Sequence, residues 1–241
     1  MSRPDKRKIE ETRKIESKAG VIPNADGSAI FKIGNTIAYA TVYGPRSLYP
    51  RFLQDPKKGI IRINYNMMPF SGSGDRIRPG GSRRSKEISM VTKDALTSVI
   101  DLEEFPNAVV DIFIELPQTD AGTRCAGICA ASIALADAGI PMKEMVSAIA
   151  VGLVNGKPVV DLSKEEEDLE GAVDIPIAVI PNQGTISLLQ LDGEIKKEDL
   201  KKALELGVEA CKKINEVQKK TLKEKYASID TQNSSADKGG D

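Results

Sequence analysis

The chain is expected to fold as an α+β protein made of two related strand-and-helix halves, and three features of its 241 residues point that way. Apolar residues alternate with period two in several short stretches, as in half-buried strands, while only a few stretches carry a helical period. Two turn signals, Asn155-Gly156 and Pro181-Asn-Gln-Gly184, each join a pair of such strands into a hairpin. Ile37-Ala-Tyr-Ala-Thr-Val42 and Ala148-Ile-Ala-Val-Gly-Leu153 look like equivalent strands of the two halves, although the sequence contains no strict repeat.

In chain order, strands are expected at residues 29–32, 36–42 and 60–67, the last with Ile61, Ile63, Tyr65 and Met67 on one face. A helix should follow over residues 86 to about 102. Val110, Ile112, Ile114 and Leu116 then mark a strand over 109–116, and a small-residue helix should run over 125–138. Strand 147–154 turns at Asn155-Gly156 into 158–162, an acidic loop covers 163–168, and a second hairpin pairs 173–179 with 186–191. Leu200, Leu204, Val208 and Cys211 recur at steps of four and three, which predicts a surface helix from 198 to about 223. The folded domain is placed at residues 1–225. Residues 226–241, dominated by Gln, Asn, Ser, Asp and Gly, are expected to form a disordered polar tail.

The most chemically specific stretch is Gln118-Thr-Asp-Ala-Gly-Thr-Arg124, which ends an apolar strand and runs into the small-residue helix. N–H groups in a first helical turn lack intrahelical partners and carry the positive end of the helix dipole. Gly122 lets the backbone approach a bound oxyanion, Thr123 adds a hydroxyl and Arg124 a fork-shaped cation. An arginine there disfavours the helix itself, so its placement suggests a phosphate ligand. Thr119 or Asp120 capping the helix is the simpler alternative, and the two are compatible.

Composition removes many other chemistries. The chain has no histidine, which excludes Ser-His and Cys-His nucleophilic sites, imidazole metal ligands and histidine acid–base catalysis. Its three cysteines form no Cys-x-x-Cys pair, so neither a disulfide framework nor a zinc site is expected. Gly81-Ser-Arg-Arg-Ser-Lys86 lacks the second glycine of a P-loop, and Gly72-Ser-Gly74 lacks the third glycine of a dinucleotide fingerprint. No apolar run is long enough for a bilayer and the N-terminus is charged, so a soluble, cytoplasmic protein without membrane contacts is expected.

A net charge of −1 gives no overall pull on nucleic acid, but the cations are clustered. Arg76, Arg78, Arg83 and Arg84 sit in a Gly/Ser/Pro-rich stretch, and Arg46, Arg51, Lys57, Lys58 and Arg62 lie on or beside a Pro-bounded loop, suited to a phosphate backbone. Tyr65 is either a core residue or a base-stacking ring at a strand end. Asp168 closes the acidic loop, and Asp174 interrupts the apolar residues of its strand.

These segments together resemble the RNase PH family of phosphorolytic 3′→5′ exoribonucleases. Asp120-Ala-Gly-Thr-Arg124 resembles its phosphate turn, Gly34-Asn35-Thr36 its early strand turn, Arg84 with Glu87-Ile88 its central helix, and Asp168 with Asp174 its acidic pair. Arg3-Pro4-Asp5 resembles its start, with Lys6 where the family usually has glycine. Ser82-Arg83-Arg84-Ser85, Asn66-Met-Met-Pro-Phe70 and 134–142 are more similar to the archaeal exosome branch than to bacterial ribonuclease PH, which usually has Gly-Gly at Ala121-Gly122.

The resemblance implies the ribosomal protein S5 domain 2-like fold and an enzyme that degrades single-stranded RNA to nucleoside diphosphates, with reverse 3′ tailing in excess diphosphate. It implies inorganic phosphate as cosubstrate on Gly122, Thr123, Arg124 and Arg84, and RNA on Arg83, Arg84, Arg51, Arg62 and Tyr65. Asp174 and Asp168 would be the catalytic carboxylates, or the ligands of Mg²⁺. Partners would be a paralogous non-catalytic subunit alternating with this chain in a hexameric ring, and RNA-binding cap subunits. A homohexameric ribonuclease PH trimming tRNA ends and a non-catalytic RNA-binding ring subunit are the alternatives, the latter disfavoured because Arg124 and Asp174 are both present.

Overall fold

The computed structural model describes residues 3–78 and 81–236, with side chains to residue 227. Two sheets flank a buried helix. The first sheet contains β1 (Ile15–Ala19), β2 (Gly27–Ile33), β3 (Thr36–Ser47), β4 (Ile60–Met67) and β5 (Ala108–Gln118) in the order β1-β2-β3-β5-β4. Its strands pair antiparallel except β4 with β5, which are parallel and joined by the crossover helix α1 (Arg83–Thr97). Helix α2 (Thr123–Asp137) leaves β5 directly. The second sheet contains β6 (Ser147–Val154), β7 (Lys157–Val160), β8 (Val173–Ile180) and β9 (Thr185–Leu189) in the order β7-β6-β8-β9, all antiparallel. The short helix α3 (Lys164–Glu167) lies between β7 and β8, and α4 (Lys197–Ala236) closes the chain.

Burial explains the sequence patterns. Helix α2 packs against strands of both sheets and against α4, so it has no polar face and reads as small and apolar all round. Its alanines and Gly127 let backbones come close. A Cβ on Gly27 of β2 would lie 2.3 Å from the carbonyl oxygen of Ala134. Every residue of β6 is buried because α2 and α4 touch this strand, and two-sided burial replaces alternation with a continuous apolar run.

Several expectations need correction. Helix α1 starts three residues before the expected Lys86 because Ser82 caps it, its hydroxyl accepting from Ser85 N at 3.0 Å. It ends at Thr97, and Leu102–Glu104 form a separate 3-10 turn. The expected acidic loop contains α3, held by a capping box in which Glu166 accepts from Ser163 N at 2.9 Å. The helix expected to stop near 223 continues to Ala236, through most of the stretch expected to be a disordered tail. Extending an existing helix costs far less than nucleating one, so composition alone misplaces this boundary. Residues 237–241 of that tail lie outside the described residues.

Candidate active site

The β5–α2 turn is fixed from several sides before α2 begins. The Thr36 hydroxyl donates to Ala121 O at 2.7 Å and accepts from Asp120 N at 2.8 Å, while Asn35 Nδ2 donates to the Asp120 carboxylate at 3.1 Å. Ala121 and Gly122 both adopt left-handed backbone, φ 56° and 61°. Gly122 is the N-cap, so neither Thr119 nor Asp120 fills that position. The first helical bond runs from Ala126 N to Gly122 O, which leaves the N–H groups of Thr123, Arg124 and Cys125 without intrahelical acceptors.

Gly122, Thr123 and Arg124 line a cavity of about 310 Å³, together with Arg84 from the first turn of α1 and Asp174 from β8. Arg124 Nη1 donates to the Gln190 side-chain oxygen just past β9, and Gln190 Nε2 in turn donates to Glu87 of α1 at 3.2 Å. One amide therefore holds the Arg124 guanidinium and links it to the helix that carries Arg84.

Opposite these cations is an acidic wall. Asp174 pairs with Gly152 across β6–β8 and makes an isolated bridge with Asp192, through backbone bonds of 3.0 and 2.8 Å. Its Oδ1 is buried and, among the described residues, has no hydrogen-bond partner. Burial pushes the Asp174 carboxyl above the usual range and Asp192 adds to this, against the pull of Arg124 and Arg84. Glu167 of α3 also lines the cavity. Burial and the neighbouring Asp174 push its carboxyl up to about 7. Among the described residues no three His, Cys, Asp or Glu side chains converge as a metal cluster. Asp174 and Glu167 together supply two carboxyl groups, and the orphaned Oδ1 fits the manner in which Mg²⁺ is held between carboxylates and substrate phosphates.

Three site expectations change. Asp168, expected beside Asp174, is the C-cap of α3, exposed and bound to Lys164 at 2.5 Å, and it does not line the cavity. Helix phase puts Glu167 there in its place. The signal was in the sequence, since Ser163-Lys-Glu-Glu166 is a capping box that turns the acidic loop into a helix. Tyr65 is 1% exposed and cannot stack on a base; its ring lies under Gly127, and its hydroxyl, near Thr123 in the cavity wall, has no partner of good geometry among the described residues. Arg62 lies on the outer face of the first sheet, bidentate to Asp111 at 2.6 and 2.8 Å, with its charge already engaged. Arg51, in a 3-10 turn, and Arg83, at the start of α1, are exposed and do not line the cavity. Gln190, Lys164 and Glu167 were not foreseen at the site.

Residues 11–141 match the model of the 3′ exoribonuclease family, domain 1, and residues 144–210 match domain 2 of the same family. The chain belongs to the RNase PH family. The two matched segments correspond to the two sheets. The exosome complex component Rrp41 of Thermococcus gammatolerans is 48% identical over 227 residues, covering 94% of this RNase PH-family chain and 90% of the relative. The proteins of the same name from Nitrosopumilus maritimus and Methanopyrus kandleri are likewise 48% identical, each over 224 residues and 93% of this chain, covering 91% and 93% of their own lengths. Among solved structures, rice Rrp46 superposes with a TM-score of 0.81 at 26% identity, covering 92% of this chain and all of that one. No described helix is long and apolar enough to cross a membrane.

Proposed function

We propose that this member of the RNase PH family is the catalytic, phosphate-dependent subunit of an archaeal exosome, shortening single-stranded RNA from its 3′ end. One observation carries the reading. A helix N-terminus with a tethered arginine faces, across a single cavity, a carboxyl pair that burial biases toward holding a proton. Phosphate held by Gly122, Thr123 and Arg124 is placed to attack the terminal phosphorus of the RNA. Arg84 neutralises charge on the scissile group. As the new P–O bond forms, the bond to the ribose 3′-oxygen breaks, and the Asp174 carboxyl delivers its proton to that oxygen. The products are a nucleoside diphosphate and an RNA one nucleotide shorter. In excess diphosphate the same steps run backwards and add a 3′ tail.

Mg²⁺ is the alternative to that proton: ionised Asp174 and Glu167 are the residues that would hold it alongside the substrate phosphates, and the ion's chemistry there would be to neutralise charge on the departing oxygen. The relatives are exosome components, which supports a ring built with paralogous subunits; in this proposal the chain alternates with a non-catalytic paralogue, RNA-binding cap subunits sit above the ring, and the assembly works in the cytoplasm. The test is product analysis. Incubating the assembled protein with end-labelled single-stranded RNA should release nucleoside diphosphates only when inorganic phosphate is present. Monophosphates formed in phosphate-free buffer would make the enzyme a hydrolase and refute the proposal.

A further inference from the structure

We infer that Arg13 is the positioning residue of the anion site, working through Asp161 as a buried brace that locks the phosphate turn to the second half of the protein; this rests on the phosphorolytic reading above. Arg13 precedes β1 and its side chain is 8% exposed, far from any surface role. Its backbone N and Nε donate to Asp161 Oδ2 at 2.6 and 3.0 Å, and Nη2 donates to Oδ1 at 2.7 Å. The remaining nitrogen, Nη1, donates to the carbonyl oxygen of Asp120, the residue that opens the turn. A Cβ on Gly122 would lie 3.4 Å from Nη2, so the guanidinium packs directly beneath the N-cap of α2.

The other end of the brace is equally constrained. Asp161 is 1% exposed, sits in left-handed backbone at φ 56°, and donates its N–H to Ala150 O at 2.7 Å, where Ala150 is itself a wall of the cavity. Arg3 donates to Asp161 O and Val160 O, each at 2.8 Å, and grips both oxygens of Glu166 at 2.7 and 2.8 Å. Glu166 caps α3, and the next residue is Glu167. The N-terminal segment thus ties the phosphate turn, β6 and the acidic helix together through two buried guanidinium groups.

A planar fork can satisfy Asp161 and the Asp120 carbonyl at once, whereas an ammonium is a single point on a flexible stem. Misplacing a bound reactant by a fraction of an ångström weakens the site without unfolding it. Arg13→Lys should therefore raise the phosphate KM about five- to tenfold, with the RNA KM and kcat changed less than about twofold. Inorganic phosphate alone, titrated into the assembled protein and followed by calorimetry, should lose affinity by the same factor. Asp161→Asn keeps the volume and the backbone contacts, should act in the same direction, and should add little to Arg13→Lys in the double variant.

A merely structural role predicts a different pattern, because a lost folded fraction lowers kcat and leaves both KM values in place. Should Arg13→Lys fail to assemble, Asp161→Asn is decisive by itself. Wild-type phosphate KM and affinity in whichever variant assembles would overturn the inference while leaving the phosphorolytic reading intact. A wild-type protein that releases monophosphates would sink both.

Discussion

At the scale of single residues, two of the side chains held in left-handed backbone are informative. Lys6 and Ala121 both keep left-handed backbone, at φ 64° and 56°. Each side chain therefore sits where a Cβ costs roughly 1–2 kcal/mol, so the backbone path at these points is imposed by the surrounding fold. Arg124 needs no such imposition, and its role is testable directly. Arg124→Lys retains charge but loses the fork that Gln190 holds on one side and a phosphate would meet on the other. One charge-assisted bond is worth about 1.5–3 kcal/mol. The kcat/KM for phosphate should fall roughly tenfold or more, with the RNA KM altered less. Wild-type phosphate dependence in a folded, assembled Arg124→Lys protein would reduce Arg124 to a helix-end residue.

Glu167 gives the residue-scale prediction for pH. Its folded carboxyl is pushed up to about 7 from the ordinary 4.5. Between those values the native state holds a proton that the unfolded chain has released, so stability falls as pH rises through that window and is then flat. Glu167→Gln removes the group. Its Tm advantage over the wild type should be near zero at pH 4.5, grow toward pH 7 and level off above. Thermal scans in matched buffers at several pH values measure this, and a constant offset would show that Glu167 is not buried as described.

At the scale of elements, what could be read from the sequence follows from where each element's partners lie. Strands β4 and β6 match their expected bounds because alternation or continuous apolarity is recorded within the strand itself. The cavity-lining turn between β5 and α2 was legible for the same reason, since Gly122, Thr123 and Arg124 are contiguous. Glu167 was not, because its place depends on the phase of a four-residue helix. Arg13 and Gln190 were not either, because their partners Asp161 and Arg124 are 148 and 66 positions away in the chain. The contact between β2 and α2 offers a test of how tightly the first sheet packs on the buried helix. Gly27 lies against the α2 backbone, and the next residue, Ser28, donates its N–H to buried Asp137 at 2.9 Å, which also takes the Lys225 ammonium of α4. Gly27→Ala would place its Cβ 2.3 Å from Ala134 O and Ala138 N, both of them backbone atoms that cannot rotate away. Overpacking of this kind costs about 1–3 kcal/mol or more. Calorimetry should show Tm lower by several degrees, about 2–4 °C per kcal/mol for a chain of this size. An unchanged Tm would mean that β2 and α2 slide freely past one another.

At the scale of the whole molecule, the cavity and the exposed cations are separate, and that separation predicts how activity depends on RNA length. Arg51 stands in a turn flanked by Tyr49 at 63%, Phe52 at 83% and Leu53 at 49% exposure, and neither it nor these neighbours line the cavity. In the proposed ring this turn would meet RNA on its way to the site, not the nucleotide being removed. Arg51→Ala should therefore raise the KM of long single-stranded RNA and leave the phosphate KM alone. Oligonucleotides too short to reach beyond the cavity should be degraded by the variant as fast as by the wild type. The contact is electrostatic, so each phosphate interaction lost should lower the slope of log affinity against log salt by about 0.7. Filter binding of a long RNA across a salt series, with phosphorolysis of a short oligonucleotide in parallel, reads both effects. An equal loss on short and long substrates would place Arg51 at the chemistry, against the geometry described; no loss on either would show that RNA takes another path into the molecule.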